Sequence, residues 1–158
     1  MSCEREGVVI KLVQGEQEWR NTLLRQTGID SKDIPKVLGV WTQIADADWQ
    51  LRCEQPHILI NETGLQKYRF PEGSIECKIA HEMAEWRLFQ AGNQKKQAHL
   101  AAVEAELRKA DELGILEPYF KAEVLSSLKT GLIIDAAQKT LAYLRLKATF
   151  KKRKEASS

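Results

Sequence analysis

Apolar residues recur with two different periods along this chain, and the change between them comes near residue 70. Before it, short runs rich in β-branched residues alternate with turn-forming clusters. Val8 to Val13 (VVIKLV), bounded by Gly7 and Gly15, reads as a strand. Residues 17–26 place Trp19, Leu23 and Leu24 at helical spacing and stop at Gly28 in a C′ role. Residues 30–35 read as a turn or short helix ended by Pro35. Residues 37–44 (VLGVWTQI) read as a second strand with Gly39 as a bulge. Residues 45–54 stay open between a turn and a strand, and residues 58–60, after Pro56, form a further strand. Residues 61–64 (NETG) carry turn chemistry, and residues 65–70 read as a short strand or an irregular lead-in.

From Ile75 onward the spacing is helical. Pro71-Glu72-Gly73-Ser74 is a helix start, with Ser74 as N-cap and Glu76 in the electropositive first turn. Breaks at residues 91–93, at Gly114 and at Thr130-Gly131 divide the rest of the chain into four helices, at 74–90, 94–113, 118–129 and 132–152. The pattern is α+β with segregated elements. A small N-terminal mixed or antiparallel sheet with one helix is followed by four largely antiparallel helices. A single domain over residues 1–158 is expected, strand-rich over 1–70, helical over 74–152, with a flexible polar tail over 153–158.

The helix at 74–90 is the centre of the pattern. At 100° per residue, Ile75, Ile79, Met83, Trp86 and Phe89 form one apolar stripe, and Cys77, Ala84 and Leu88 form another. A helix that is apolar on two sides is packed on two sides, here between the sheet and the later helices. His81 and Glu85 fall within the second stripe, among small residues. On the next helix His99, Ala102, Val103, Glu106, Ala110 and Leu113 share the apolar face, and Glu104 lies off it. Two neighbouring helices thus each turn a His and a Glu inward. Buried ionisable groups need partners, and one divalent ion or a closed His–Glu hydrogen-bond network would satisfy them. His and Glu at i and i+4 can bind one cation from one face, and His99 or Glu106 would add further ligands. Zinc would bring the pKa of a bound water to about 7, and Glu82 is the candidate base for its proton. Cys77 is a soft donor one turn before His81, although a buried free cysteine is usually packing.

IAHEMAEW resembles the active-site helix of zincin metallopeptidases. The order ILIN…RF…AHE is similar to that of the ImmA/IrrE group, and HEMAEWRLFQAG followed by AHLAAVEAE resembles small phage- and mobile-element-associated zincin-like proteins. The resemblance spans residues 57–106. It implies zinc, or another divalent cation, held by His81 and Glu85 with His99 or Glu106, and Glu82 as catalytic base. The chain departs from that pattern at Glu85, which stands where HExxH has its second histidine. This makes the site more acidic.

Charge and composition narrow the alternatives. With 43% hydrophobic and 29% charged residues the balance is that of an ordinary globular chain, and a net charge of +2 is too small to point to nucleic acid by itself. Three cysteines without a CxxC argue for a reducing, cytoplasmic setting. MSCEREG has no apolar core, so no signal peptide is expected, and no run approaches the roughly 20 apolar residues of a membrane span. Three functions remain: a zincin-like hydrolase acting on a protein or peptide; a non-catalytic helical interaction module or subunit of a larger assembly, supported by the last helix, where Ile133, Ile134, Ala137, Leu141, Leu144 and Ala148 make one stripe and Leu132, Ala136 and Tyr143 a second apolar strip that calls for a partner; and a nucleic-acid-associated protein using Lys151 to Lys154. His57, at a strand start, is read as structural. The oligomeric state is not legible.

Overall fold

The computed structural model describes residues 2–26, 32, 38–42 and 56–156. It separates into two compact units, residues 1–69 and 70–158. Strands occupy the first and long helices the second, which is the α+β arrangement that the change of period implies.

The first unit holds a four-stranded sheet in the order β1-β2-β4-β3, with strands β1 (Ser2–Arg5), β2 (Val8–Val13), β3 (Gly39–Thr42) and β4 (His57–Asn61). It is mixed: β1 and β3 run antiparallel to their neighbours, while β2 and β4 are parallel. Strand β1 is absent from the pattern-based expectation, because SCER has no apolar alternation. What makes it is the turn after it. Glu6 and Gly7 both have positive φ, 51° and 76°, the two-residue hairpin geometry that matches strand twist. The central strand β4 is buried from Ile58 to Asn61. Helix α1 (Glu16–Gln26) lays Trp19 and Leu23 onto Val13 and Leu59, while Leu24 faces outward. Expectations for residues 30–31, 33–35 and 43–54, and for Gly28, lie outside the described residues.

Residues 61–64 are not a free turn, and residues 65–67 are neither strand nor irregular. They form α2 (Glu62–Lys67), capped by the Asn61 side chain, which accepts from the Gly64 amide at 2.7 Å. The Asn-x-x-Gly pattern suits a turn and an N-cap equally, and the cap wins where a helical turn follows. A Cβ at Gly64 would sit 2.6 Å from Asn61 Nδ2 and 2.8 Å from Leu38 Cδ2. Gly64→Ala should therefore push the capping side chain out of place and cost about 1–3 kcal/mol in urea unfolding. An unchanged midpoint would show that the cap can shift freely.

The second unit is four helices: α3 (Ser74–Gln90), α4 (Lys95–Glu112), α5 (Leu116–Lys129) and α6 (Ile133–Ala156). The connections at 91–94, 113–115 and 130–132 are too short for anything but antiparallel neighbours. Ser74 is not the N-cap of α3. Gly73 takes that position at φ 90°, and the Ser74 hydroxyl donates back to the Pro71 carbonyl at 2.6 Å. At the other end Gly92 adopts φ 86°, and the Asn93 amide reaches the Leu88 carbonyl at 3.0 Å, a left-handed stop that reverses the chain into α4.

The core of this unit is Cys77, Val103, Leu107, Ala110, Leu116 and Tyr119, with Phe120, Tyr143, Leu146 and Phe150 packed against it. The apolar stripe of α6 lies outward. Ile133, Ile134, Leu141 and Leu144 are 56–77% exposed, while Ala136 and Lys139 are buried. The helix turns its less apolar face inward because that face carries Lys139 to buried carboxylates. Helix α6 also runs on to Ala156, past the expected end near residue 152.

Candidate metal centre

Each helix of the second unit supplies charged groups to one buried cluster. Helix α3 contributes Lys78, His81 and Glu85, α4 His99 and Glu106, α5 Glu123, and α6 Asp135 and Lys139. Lys78, His81, Glu85, Glu106, Glu123 and Lys139 are all under 9% exposed.

Glu85 sits between the two histidines. Its Oε2 lies 3.4 Å from His81 Nε2 and 3.3 Å from His99 Nδ1, and the two rings meet edge-on with centroids 5.0 Å apart. One donor atom from each of His81, Glu85 and His99 falls within 4.8 Å of the others, a group that could hold a metal ion. Separations of 3.3–3.4 Å are long for N–H···O hydrogen bonds, and the two histidine nitrogens are held within 4.8 Å of each other. Those shorter separations match the edge, about 3.3 Å, of a tetrahedron with bonds of roughly 2.0–2.1 Å. Two imidazoles and one carboxylate are also a donor set that suits zinc and leaves a coordination position open.

Carboxylates stand behind both rings. His81 Nδ1 is 3.0 Å from Glu106 Oε2, a close charge contact that lacks hydrogen-bond alignment. His99 Nε2 is 3.5 Å from Asp135 Oδ1. The chain of charges then continues. Glu106 is 3.6 Å from Lys78 Nζ and accepts from the Tyr119 hydroxyl at 3.4 Å. Lys78 pairs with one oxygen of Glu123, and Lys139 with the other. Lys139 returns to Asp135 at 2.8 Å, where the Ser127 hydroxyl also donates. The result is a closed ring of alternating sign: Glu85, His81, Glu106, Lys78, Glu123, Lys139, Asp135, His99 and back to Glu85.

Charge balance decides what this ring can hold. Within the ring, four carboxylates face two ammonium groups, leaving two negative charges that two imidazolium ions neutralise, as would one divalent cation with both rings neutral. Glu82, buried beside His81 but outside the ring, adds a further negative charge when ionised. In the metal-free protein the protons are held tightly. Burial opposes a charged His81, but Glu106 and Glu85 outweigh it and raise the ring to about 10. Asp135 and Glu85 raise His99 to about 9, against partial burial. Burial would lift Glu85, yet the two histidines hold it down at about 2. Burial likewise opposes ionisation of Glu106 and Asp135. Lys78 with His81 in one case, and His99 with Lys139 in the other, keep them well below the usual carboxylate range.

The structure thus brings His81, Glu85 and His99 to one point and sets Glu106 behind His81, beside Lys78. Glu82 is 6% exposed, and burial lifts its carboxyl to about 6 against the pull of His81 and Lys78. Cys77 stays in the core, where burial pushes its thiol to about 12, and it is not among the converging atoms. Lys78, Glu123, Asp135 and Lys139 escape pattern reading. Asp135 and Lys139 did carry a signal, an acid and a base at i and i+4 on the strip of α6 beside Ala136.

No helix among the described residues is long and apolar enough to cross a membrane. No family model matches the chain, and no curated protein or solved structure matches it.

Proposed function

We propose that the helical unit is the centre of a zincin-like, metal-dependent hydrolase acting on a peptide or protein in the cytoplasm, with zinc the first candidate among divalent cations. The observation that carries this reading is the convergence of His81 Nε2, His99 Nδ1 and Glu85 Oε2, in a ring whose missing charge equals that of one divalent ion. His81, Glu85 and His99 would hold the ion. When bound, it would acidify a water and polarise a carbonyl. Glu82, next to His81 in sequence and titrating at about 6, has the proton affinity of a general base at neutral pH.

The test is elemental analysis of purified protein with peptide-cleavage assays. Wild type should carry about one zinc or other divalent ion per chain. Glu82→Gln should keep the ion and lower turnover by about 10²-fold or more. A chain that folds fully in chelator and takes up no divalent ion would remove the reading.

A second reading rests on the outward stripe of α6. Ile133 and Ile134 are 70% and 77% exposed, which favours a non-catalytic interaction module whose charged ring needs only protons. Sedimentation across a range of concentrations distinguishes it, with a strict monomer counting against it. Contact with nucleic acid through Lys151 to Lys154 would instead appear as binding that weakens steeply with salt.

A further inference from the structure

We infer that Asp135 and Glu106 are positioning residues that make His81 and His99 hold one divalent ion through opposite ring nitrogens, Nε2 of the first and Nδ1 of the second. This rests on the metal reading and goes beyond it, because it assigns work to α5 and α6, which supply none of the converging atoms.

Each histidine ring lies between Glu85 and a second carboxylate, but the two rings are turned in opposite senses. The Nε2 edge of His81 faces Glu85, and its Nδ1 edge faces Glu106. His99 is reversed: Nδ1 faces Glu85 and Nε2 faces Asp135. In a neutral imidazole only one nitrogen carries a proton, and that proton goes to the stronger acceptor. With an ion beside Glu85, the carboxylates left facing those protons are Glu106, 3.0 Å from His81 Nδ1, and Asp135, 3.5 Å from His99 Nε2, and a small turn of each side chain would align it as the acceptor. A carboxylate behind a ligating histidine fixes its tautomer and raises its basicity. Here one stands behind each ring, supplied by different helices.

The two orienting carboxylates are also tied to each other. Glu123 holds Lys78 on one side and Lys139 on the other, and these lysines hold Glu106 and Asp135. Glu123 is fully buried, and Lys78 and Lys139 are 6% and 7% exposed, so solvent screens the chain little. Neither Glu106 nor Asp135 can swing toward the ion without abandoning a buried ammonium. That is why Glu106 acts from behind His81, although it lies on the ligand-bearing face of α4. The ring thus sets both tautomers.

The experiment uses the full chain with ¹⁵N-labelled histidine and ¹¹³Cd as the probe ion. Wild type should show one cadmium-coupled nitrogen per ring, ε for His81 and δ for His99. Asp135→Asn and Glu106→Gln keep volume and an acceptor, so both should fold. Each should weaken cadmium binding by about 10–100-fold. Each should also shift the nitrogen signals of its own histidine first, His99 and His81 respectively. A merely structural role would leave those signals in place in the folded variants. Coupling through the same nitrogen on both rings, or variants that bind as tightly as wild type with unchanged signals, overturns the inference and leaves the metal reading intact. A wild-type chain that binds no ion overturns both.

Discussion

Glu123→Ala is expected to destabilise the helical unit by about 3–5 kcal/mol in denaturant unfolding followed by circular dichroism. Glu123 is fully buried on α5, and each of its carboxylate oxygens pairs with an ammonium group, Lys78 from α3 and Lys139 from α6. Alanine removes both pairings together and opens a void. Lys78 retains Glu106 at 3.6 Å and Lys139 retains Asp135 at 2.8 Å, so neither ammonium is stranded. Both still sit in a medium where an unbalanced charge costs several kcal/mol. A cost under about 1 kcal/mol for Glu123→Ala would mean that the lysines reach water at little expense, as surface pairs do.

The second large effect is the pH dependence of the chelated protein. His81 is raised from 6.5 to about 10 by its carboxylates, so its contribution is complete below pH 6.5 and is lost as pH rises toward 10. Its ceiling is about 5 kcal/mol at 1.36 kcal/mol per unit. His99 adds in the same sense, reduced by its partial exposure. Glu85 is held at about 2 against an ordinary 4.5, so its contribution is complete above pH 4.5 and is lost as pH falls toward 2. Glu82, raised from 4.5 to about 6 by burial, costs stability as pH rises between those values, so stability without metal should be greatest near pH 4.5 and decline on both sides. A bound divalent ion replaces the two histidine protons, so metal should restore most stability above about pH 7 and little at about pH 5. Melting temperatures with and without zinc across roughly pH 5–9 test this, and a metal effect independent of pH would contradict the proton exchange. Calorimetry in buffers of different ionisation enthalpy should find about two protons released per ion at about pH 7.5.

Sequence legibility followed the physics of each signal. Helix ends were plain where glycine ended them, because a left-handed residue leaves few substitutes: the breaks at Gly92, Gly114 and Gly131 all stand. The inward turn of His81, Glu85 and His99 was legible from helical phase alone. Strand β1 was not, since a charged edge strand exists through its turn and its partner. Helix α2 was hidden because an asparagine cap and an asparagine turn use the same residues. The outer half of the ring was hidden for a deeper reason. Periodicity counts lysine and glutamate as surface, and Lys78, Glu123 and Lys139 are buried only because each meets another helix's charge. The same rule left the wrong strip of α6 for a partner, since Ala136 is buried and Ile133 and Ile134 are exposed. Pairing between helices is the information that one-dimensional phase lacks.

The order of the four helices has a consequence of its own. All three ion-facing atoms come from the α3–α4 hairpin, while α5 and α6 contribute Glu123, Asp135 and Lys139. The chain passes from one pair to the other once, at the turn around Gly114. A mutation of His81, Glu85 or His99 therefore strikes capacity, and one in the second pair strikes affinity. Selection or engineering could retune how tightly the protein holds its ion by changing residues 116–156 alone, with every ligand left in place.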